Sequence, residues 1–311
     1  MSRQILFHLF TTVFTVIISF STCWSSSQKK VLYISSYHPG FQTFFQQVSG
    51  LKSIFDKEQI LLDIEYMDTK RFTGKEQREL FHNSLQFKLS KLDPYDVVIV
   101  ADDNALDFAL KRQYQLFKDI PIIFMGVNNV EKAIEQEHNI QVTGVVEAVS
   151  VYETVDVMIE LFPNTRQIVA LVDSTSSGQG DLREFYKIAA KFSSHEFTEI
   201  SLADYSWPDF LEKVGKLGQE SVLLLLSAYT DKDERTYPFE EGLQSIKGIT
   251  GLPIFHLWYH GVGDGLVGGK VISHFEQGKV AASIAMEVLS GVPVRDIKIK
   301  LSSPNIYVFD Y

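Results

Sequence analysis

The chain has 311 residues, and its 45% hydrophobic and 13% aromatic content can fill two compact cores at about 150 residues per domain. Its 29 basic and 39 acidic side chains give a formal net charge of −10. This composition excludes a disordered chain, and the lack of any long cluster of Lys and Arg argues against a nucleic acid or an anionic membrane surface as a partner.

The amino-terminal residues have the order of an export signal. Arg3 precedes an apolar run at 5–20, and a mainly small and polar stretch follows at 21–27. The apolar run is shorter than the about 20 residues that a membrane-spanning helix needs, which favours cleavage over anchoring. Residues 1–27 are therefore predicted to be a signal peptide, and the mature protein is predicted to be periplasmic.

Cys23, the only cysteine, lies inside this segment. A bacterial lipoprotein attaches lipid at such a cysteine, but Phe20, Ser21 and Thr22 match the usual preceding pattern poorly, so a lipid anchor at Cys23 is not expected. Removal of the segment would leave a mature chain without a thiol, in keeping with an exported protein that forms no disulfide.

From residue 31 onward, short β-branched runs alternate with amphipathic stretches, which predicts parallel strands covered by helices. In the first half, the predicted strands are 31–36, 60–67, 96–101 and 121–126, and the predicted helices are 44–56, 74–92 and 104–117.

The second half repeats this arrangement after a predicted helix at 151–162, which must end at Pro163. Its predicted strands are 167–172, 197–202, 221–227 and 252–257, and its predicted helices are 181–191, 207–217 and 239–246. The remainder, a strand at 266–273, a helix at 277–289 and a strand at 297–301, is too short for a third core. We expect it to cross back and complete both halves.

The predicted fold class is α/β, with two doubly wound parallel-sheet lobes joined by a hinge. Residues 28–147 plus 264–292 are assigned to the first lobe, and residues 148–263 plus 293–311 to the second. Ligands of open α/β sheets bind beyond the carboxyl ends of the strands. A shared cleft between the lobes is therefore predicted, with closure by hinge motion.

Polar and aromatic side chains follow the predicted strands of the first half. Asp102 could meet a ligand ammonium, but the same Asp102-Asp103-Asn104 run suits the capping of the next helix, so one aspartate is expected to cap and the other to face the cleft. An ordinary loop remains an alternative for each of the other turns. The candidates from this half are Ser36, Tyr37, Asp68, Asp102 and Asn128.

Comparable positions occur in the second half. Ser174 and Thr175 precede a predicted helix, where free backbone amides and hydroxyls could hold a ligand carboxylate or phosphate, although simple N-capping explains them equally well. Tyr229 and Trp258 offer aromatic faces to an apolar ligand body, and core packing alone would explain Trp258. These four residues complete the candidate ligand-binding set.

Two short motifs suggest cofactors but fail in context. Residues 263–268 match the dinucleotide fingerprint, but a strand is predicted after them where the fingerprint needs a helix, and Val271 after Lys270 replaces the Ser/Thr of a phosphate loop. His256 and His260 are four residues apart, yet no Glu follows the first and no cysteine lies nearby. No cofactor, metal or catalytic residue is predicted.

Several segments, taken in order, resemble the type I periplasmic-binding-protein-like family, which is related to ABC transporter substrate-binding proteins. Members of this family also serve as the extracytoplasmic sensor domains of histidine kinases and diguanylate cyclases. The resemblance covers roughly residues 30–311 and is carried by SSYHPGF at 35–41, EYMDTKRF at 65–72, DDNALDF at 102–108, PIIFMGVNN at 121–129, TGVVE at 143–147 and GLVGG at 265–269.

The resemblance implies a two-lobed fold with a ligand contacted by the residues after the strands. On this chain those positions are Ser36, Tyr37, Asp68, Asp102, Asn128, Ser174, Tyr229 and Trp258. Sensor members usually continue past the region of residues 309–311 into a transmembrane helix and cytoplasmic signalling domains, which this sequence lacks. A solitary chain would have to pass its occupancy to a separate membrane partner, and a truncated sensor is the alternative.

The leading hypothesis is an exported, non-catalytic protein that closes on a small organic ligand, an amino acid or a similar solute. Its membrane partner would be an ABC permease or a sensor kinase or cyclase, and the sequence does not separate these two. A cleft enzyme, either a hydrolase or a nucleotide-dependent protein, would instead lose turnover on mutation of Asp102 or His256. A structural envelope protein would show no ligand-dependent closure.

Overall fold

A computed structural model describes residues 28–72 and 74–310, so the predicted signal peptide lies outside the described residues. The strands are β1 (Lys30–Ser35), β2 (Leu61–Tyr66), β3 (Val97–Ala101), β4 (Ile122–Val127), β5 (Val142–Val146), β6 (Gln167–Val172), β7 (Glu196–Ser201), β8 (Ser221–Leu225), β9 (Ile254–His256), β10 (Gly268–Val271) and β11 (Ile306–Phe309).

The α-helices are α1 (Gln42–Phe55), α2 (Lys75–Leu89), α3 (Asp102–Arg112), α4 (Val130–Glu135), α5 (Val151–Leu161), α6 (Ser176–Ala189), α7 (Trp207–Gly215), α8 (Phe239–Ile249) and α9 (His274–Leu289). A π-helical turn at Gln113–Phe117 extends α3, and 3-10 turns occupy Gln136–His138 and Val294–Asp296.

The first sheet has the strand order β2-β1-β3-β4-β5 and is parallel throughout. Strands β3, β4 and β5 are buried along their whole length, because helices cover both faces of the sheet. Leu106 and Phe108 of α3 pack on one face, and Leu51 of α1 and Ala282 of α9 pack on the other.

The second sheet has the order β11-β10-β9-β8-β6-β7, in which only the β10–β11 pair is antiparallel. Val155 of α5 and Phe185 of α6 cover one face, and Phe210 of α7 and Ile246 of α8 cover the other. Each sheet therefore has helices on both faces, and the predicted fold class of two doubly wound α/β lobes is confirmed.

The chain passes between the lobes between β5 and α5, between β10 and α9, and again before β11. Helix α9 follows a strand of the second sheet but packs against α1 of the first lobe. Gly50 and Gly278 make this contact close: a Cβ on Gly50 would overlap the Phe275 carbonyl, and one on Gly278 would overlap the Gln47 carbonyl. Multiple crossings of this kind are typical of a hinge between two lobes.

The sheet topology differs from the predicted lobe boundaries in two places. Strand β10 falls within 264–292, assigned to the first lobe, but it pairs with β9 and β11 of the second sheet. Conversely, Lys300 bridges to Val145 of the first sheet, although 293–311 was assigned to the second lobe.

One predicted strand is wrong, and two observed strands were not predicted. The alternating residues 297–301 form no strand, because only Lys300 has a pairing partner. The carboxyl-terminal strand is instead β11, which the sequence analysis did not assign. Strand β5 was also missed, because Thr143 and Gly144 interrupt its short apolar run.

Within residues 28–72 and 74–310, no helix combines the length and the apolar character needed to cross a lipid bilayer.

Candidate functional site

The carboxyl ends of β1 and β3 are joined by the buried Ser36. Its hydroxyl donates to the Ala101 carbonyl at 2.7 Å and accepts from the Ala105 amide at 2.9 Å. Both roles of the hydroxyl are thus used inside the protein, and Ser36 fixes the start of α3 relative to the sheet.

Asp102 lies at this junction and is only 5% exposed. Its φ of 68° places it in the left-handed region that non-glycine residues rarely adopt. The expectation that one aspartate caps α3 is wrong: no side chain caps this helix, and Asp103 Oδ1 instead accepts from the Asn129 amide at 3.2 Å. Oδ2 of Asp102 is buried without a hydrogen-bond partner.

The surroundings of Asp102 favour its neutral form. Burial is the main cause that raises its pKa to about 8, and the charges of Glu147 and Asp103 add to the increase, while His274 and Gln47 oppose it. The half-buried Tyr37 also has a raised pKa, caused by burial and then by the charges of Asp102 and Glu147. Tyr37, Asp102 and Glu147 therefore share one region of the first lobe.

Glu147 follows β5 directly and is 7% exposed. Asn128 Nδ2 donates to its Oε1 at 3.1 Å, and His274 Nε2 lies 3.4 Å from its Oε2 without the alignment of a hydrogen bond. Burial lowers the pKa of His274, but Glu147 and Asp102 outweigh burial, and the resulting pKa lies above the ordinary value for histidine. His274 is therefore a partly compensating cation for the nearby carboxylates.

The carboxyl ends of β6 and β8 in the second lobe are organised by Asp173. Its Oδ1 accepts from the Ser227 hydroxyl at 2.8 Å and from the Thr175 amide at 3.0 Å, and its Oδ2 accepts from the Tyr229 amide at 2.8 Å. Thr175 Oγ1 accepts from the Gly178 amide and so caps α6. Thr175 has the N-capping role that the sequence offered as the alternative to ligand binding, and Ser174 beside it is exposed.

Two histidines at the end of β9 are held in the neutral state. His256 Nδ1 donates to the Leu225 carbonyl at 2.6 Å, so its Nε2 is an acceptor, and His260 Nε2 lies 3.2 Å from that atom as the donor. Burial, with a smaller effect from a neighbouring histidine, lowers the pKa of His256 to about 3 and that of His260 to about 4.

Aromatic rings surround this histidine pair. Phe239 meets His260 edge-on with centroids 4.4 Å apart, Trp258 lies 5.2 Å from His256, and Tyr229 lies 6.4 Å from Phe239. We call Tyr229, Phe239, His256, Trp258 and His260 the ring wall. It is uncharged and aromatic, although Trp258 also packs partly against the core under β6.

The two lobes face each other across these residues. Gln42 of the first lobe donates to Glu240 of the second at 3.1 Å. Burial and then the charge of Glu147 raise the pKa of Asp181, on α6, to about 7, and the charge of His274 contributes to the low pKa of His260. The polar residues of the two lobes thus lie near one another between the lobes.

A sequence model described as ABC transporter substrate binding protein matches residues 38–309. The chain belongs to this family of ABC transporter substrate-binding proteins. The resemblance inferred from the sequence segments is thereby confirmed. No curated protein sequence matches the chain.

Solved structures show the same fold as this substrate-binding-family protein. A ligand-free, open substrate-binding protein with adhesive properties from Clostridium difficile superposes with a TM-score of 0.66 at 15% identity, covering 90% of this chain and 92% of that one. An ABC domain in complex with L-Trp from Streptococcus pneumonia has a TM-score of 0.57 at 15% identity, and the complex of the TorS sensor domain with TorT contains a chain with a TM-score of 0.57 at 11% identity. In both cases the match covers 91% of this chain and 92% of the other.

Asp68, one of the predicted ligand-binding residues of this substrate-binding-family protein, is paired within the protein. Asp68 forms an ion pair with Arg71, which holds the pKa of the carboxyl below its ordinary value. Asp68 also lines a separate open groove of about 660 Å³ beside β2 and α2, together with Phe72 and Leu80. Its carboxylate already has a cationic partner.

Four residues near the strand ends were not predicted from the sequence: Glu147, Asp181, His274 and Gln277. Gln277 is fully buried, accepts from the Gly126 amide at 3.3 Å and donates to the Val146 carbonyl at 3.0 Å, so it fixes the ends of β4 and β5. Glu147 had one usable signal, its position directly after the apolar run of β5. The other three residues lie on helices, and only the folded chain shows that they approach the strand ends.

Proposed function

We propose that this protein is an exported, non-catalytic receptor that closes on a small organic ligand in the interlobe cleft. The ligand carries an amino group, as an amino acid or a similar solute does. This proposal rests on one observation. The first lobe has buried carboxyl oxygens of Asp102 and Glu147 that make no hydrogen bond, and the second lobe has the aromatic ring wall. The first group suits a ligand nitrogen, and the second suits an apolar or aromatic body.

Closure follows from the placement of these groups on two bodies. A ligand bridging the lobes contacts both walls only when they approach, so binding stabilises the closed form relative to the open one. Residues 147 and 274 belong to crossing segments, so rotation about the hinge also moves part of the binding site. The residues proposed to contact the ligand are Tyr37, Asp102, Asn128, Tyr229 and Trp258, and we propose Glu147, Asp181 and His274 as further contacts.

The chemistry of the cleft supports binding without turnover. The hydroxyls of Ser36 and Ser227 are engaged by backbone and carboxylate partners, and His256 and His260 are bonded to each other. Among the described residues, Ser194 and His195 form a direct serine–histidine contact at 3.1 Å, but both are neighbours on the exposed surface. A hydrolytic nucleophile and base in one buried site are therefore not supported.

The partner of the closed form is proposed to be a membrane protein, either an ABC permease or a sensor kinase or cyclase. The family description supports an ABC permease as the partner. The likeness to a chain of the TorS–TorT complex supports a sensor protein as the partner. Deletion of the gene for this chain separates them: a permease partner predicts loss of ligand uptake, and a sensor partner predicts loss of a ligand-dependent response with uptake intact.

The test of the binding function is native mass spectrometry of the exported protein, followed by small-angle scattering with a panel of metabolites. We expect a small organic molecule to be released on denaturation, and at least one solute of the panel to reduce the radius of gyration. Steady formation of a product would contradict a non-catalytic receptor. Absence of a bound molecule and of any ligand-dependent compaction would remove the proposed function.

A further inference from the structure

Three carboxyl groups of the cleft lack a full set of partners. Asp102, Glu147 and Asp181 each have a side-chain oxygen that is buried and makes no hydrogen bond. Asp102 and Glu147 belong to the first lobe and Asp181 to the second, and the charge of Glu147 acts on both aspartates. We call these three residues the acidic cluster.

Asp107 also has a buried oxygen without a hydrogen bond, but that oxygen is ion-paired with Lys132, and the other buried carboxylates of the described chain are satisfied. Asp173 accepts from Ser227 and Tyr229, Asp231 accepts from the Tyr237 hydroxyl at 3.0 Å and from backbone amides, and Asp68 is paired with Arg71. Burying a carboxyl without partners is costly, and proteins normally avoid it. The acidic cluster is therefore an exception within this molecule.

His274 compensates the charge of the cluster only in part. Among the described residues, the buried ionisable side chains are aspartates, a glutamate, histidines and tyrosines, with no lysine or arginine. His274 is the one buried cation-forming group that acts on Asp102, and it lies against Glu147. Arg183, which acts on Asp181, is exposed.

The ring wall suits a positive charge as well. His256 and His260 are neutral, and because His260 donates from Nε2, its Nδ1 remains an acceptor. The faces of Trp258, Phe239 and Tyr229 can contact a cation through their ring quadrupoles. The donors that this wall can offer a ligand carboxylate, the Tyr229 hydroxyl and the Trp258 indole N–H, are uncharged, and no cationic group of the wall balances a carboxylate.

We propose that the ligand is an organic cation, an amine or diamine whose positive charge is not balanced by a carboxylate of its own. This rests on the proposed function and narrows its ligand class. A zwitterionic amino acid would bring a carboxylate into a cleft that has acidic side chains and no buried lysine or arginine. A bare metal ion does not fit, because no group of three or more acidic, histidine or cysteine side chains converges with metal-binding geometry in the described residues.

The test uses three probes that share one ring and differ in charge: phenethylamine, phenylalanine and phenylacetate, with putrescine as an aliphatic diamine. Calorimetry is performed on the exported protein after removal of any co-purified molecule. We expect the amine or the diamine to bind at least about tenfold more tightly than phenylalanine. The carboxylate of phenylalanine would be buried beside acidic side chains without a cationic partner, and an unpaired buried charge costs that amount or more. Phenylacetate is expected not to bind.

Substitutions in the acidic cluster test whether these carboxyl groups bind the amine. Asp102→Asn, Glu147→Gln and Asp181→Asn should each weaken binding of the amine by about tenfold to a hundredfold. Asp56→Asn, the same change at an exposed position after α1, should leave the affinity unchanged. Melting curves of each variant show whether it folds, and the comparison of probes on the wild-type protein decides the proposal even where a variant does not.

The outcomes distinguish failure of the organic-cation ligand from failure of the proposed receptor function. Tighter binding of phenylalanine or phenylacetate than of the amine overturns the organic cation. The organic cation is also overturned if a neutral, zwitterionic or anionic solute compacts the protein while no cationic probe binds. The proposed receptor function would still hold in that case. Failure of every solute to compact the protein removes both.

Discussion

Glu147 and His274 bring a carboxylate and an imidazole to within 3.4 Å of each other on two different segments where the chain passes between the lobes. Glu147 comes directly after β5, and His274 is the first residue of α9, where the positive end of the helix dipole favours a nearby carboxylate. The charge state of the cleft is therefore coupled to the position of the hinge segments. A ligand that changes one is expected to change the other.

Replacing Asp102 by Asn is expected to stabilise the ligand-free protein above about pH 8 and to leave its stability unchanged near about pH 4. The pKa of Asp102 is raised to about 8 from an ordinary value of 3.8. Such a group favours the folded state while it is protonated, and that contribution is lost as the pH rises through the folded pKa. The expected gain at high pH is about 1–3 kcal/mol in the free energy of unfolding, measured by urea titration.

The matched control for this change is Asp56→Asn at an exposed position. It should alter the free energy of unfolding by a similar small amount at all pH values. Protonation of His256 and His260 affects the wild type and the variants alike, so the difference between proteins isolates residue 102. A gain from Asp102→Asn that does not depend on pH would contradict a buried carboxyl with a raised pKa.

The buried strands were the most predictable part of the fold. β3, β4 and β6 are apolar runs buried along nearly all of their length, and such runs identify strands of a parallel sheet. The alternation at 297–301 was misleading, because that segment lies beside β5 with a single bridge at Lys300. Pairing of that kind depends on where α9 returns the chain, which local sequence does not contain.

The candidate site was partly predictable for a similar reason. Asp102 follows a strand, and the rule that ligands bind at carboxyl ends of strands was sufficient to select it. Asp181 and His274 lie on helices and reach the cleft only through tertiary packing. The internal use of the Ser36 and Thr175 hydroxyls was also hidden, since a serine or threonine at a strand end suits a ligand contact and a structural tie equally well.

Binding of an organic cation is expected to release protons and to strengthen as the pH rises from about 6 to about 8. Asp102 and Asp181 have pKa values of about 8 and about 7 in the ligand-free protein, and pairing with a cation favours their ionised forms. A primary amine remains charged over this range. Calorimetry of phenethylamine and putrescine in buffers of different ionisation enthalpy measures the number of protons released.

Other titratable groups face the same site and are part of this expectation. They are Tyr37, Asp103, Glu147, Arg183, Glu184, Glu240, His260 and His274. Deprotonation of His274 with increasing pH removes a positive charge from the cleft and so acts in the same direction. Proton uptake on binding, or an affinity that falls across this range, would contradict the raised pKa values of the aspartates.

Gly278→Ala is expected to destabilise the protein by about 2 kcal/mol or more, because an added Cβ would overlap the backbone of α1 at Gln47. The matched control is Gly248→Ala, also in a helix, where no atom lies within 4 Å of the added Cβ. There the helix propensity of alanine should give a small gain of up to about 1 kcal/mol. Equal effects of the two substitutions on thermal unfolding would show that the approach of α9 to α1 is looser than described.

Ligand binding is expected to change the fluorescence of Trp258 and not that of Trp207. Trp258 belongs to the ring wall, 5.2 Å from His256, whereas Trp207 is buried and stacks on Tyr237 at 4.5 Å in the core of the second lobe. The third tryptophan, Trp24, falls in the predicted signal peptide. Trp258→Phe should therefore abolish the ligand-dependent change in emission, and Trp207→Phe should retain it. If the response disappears in the Trp207→Phe variant and persists in the Trp258→Phe variant, the ligand lies away from the ring wall. This follows because the fluorescence of an indole responds to the atoms that it touches.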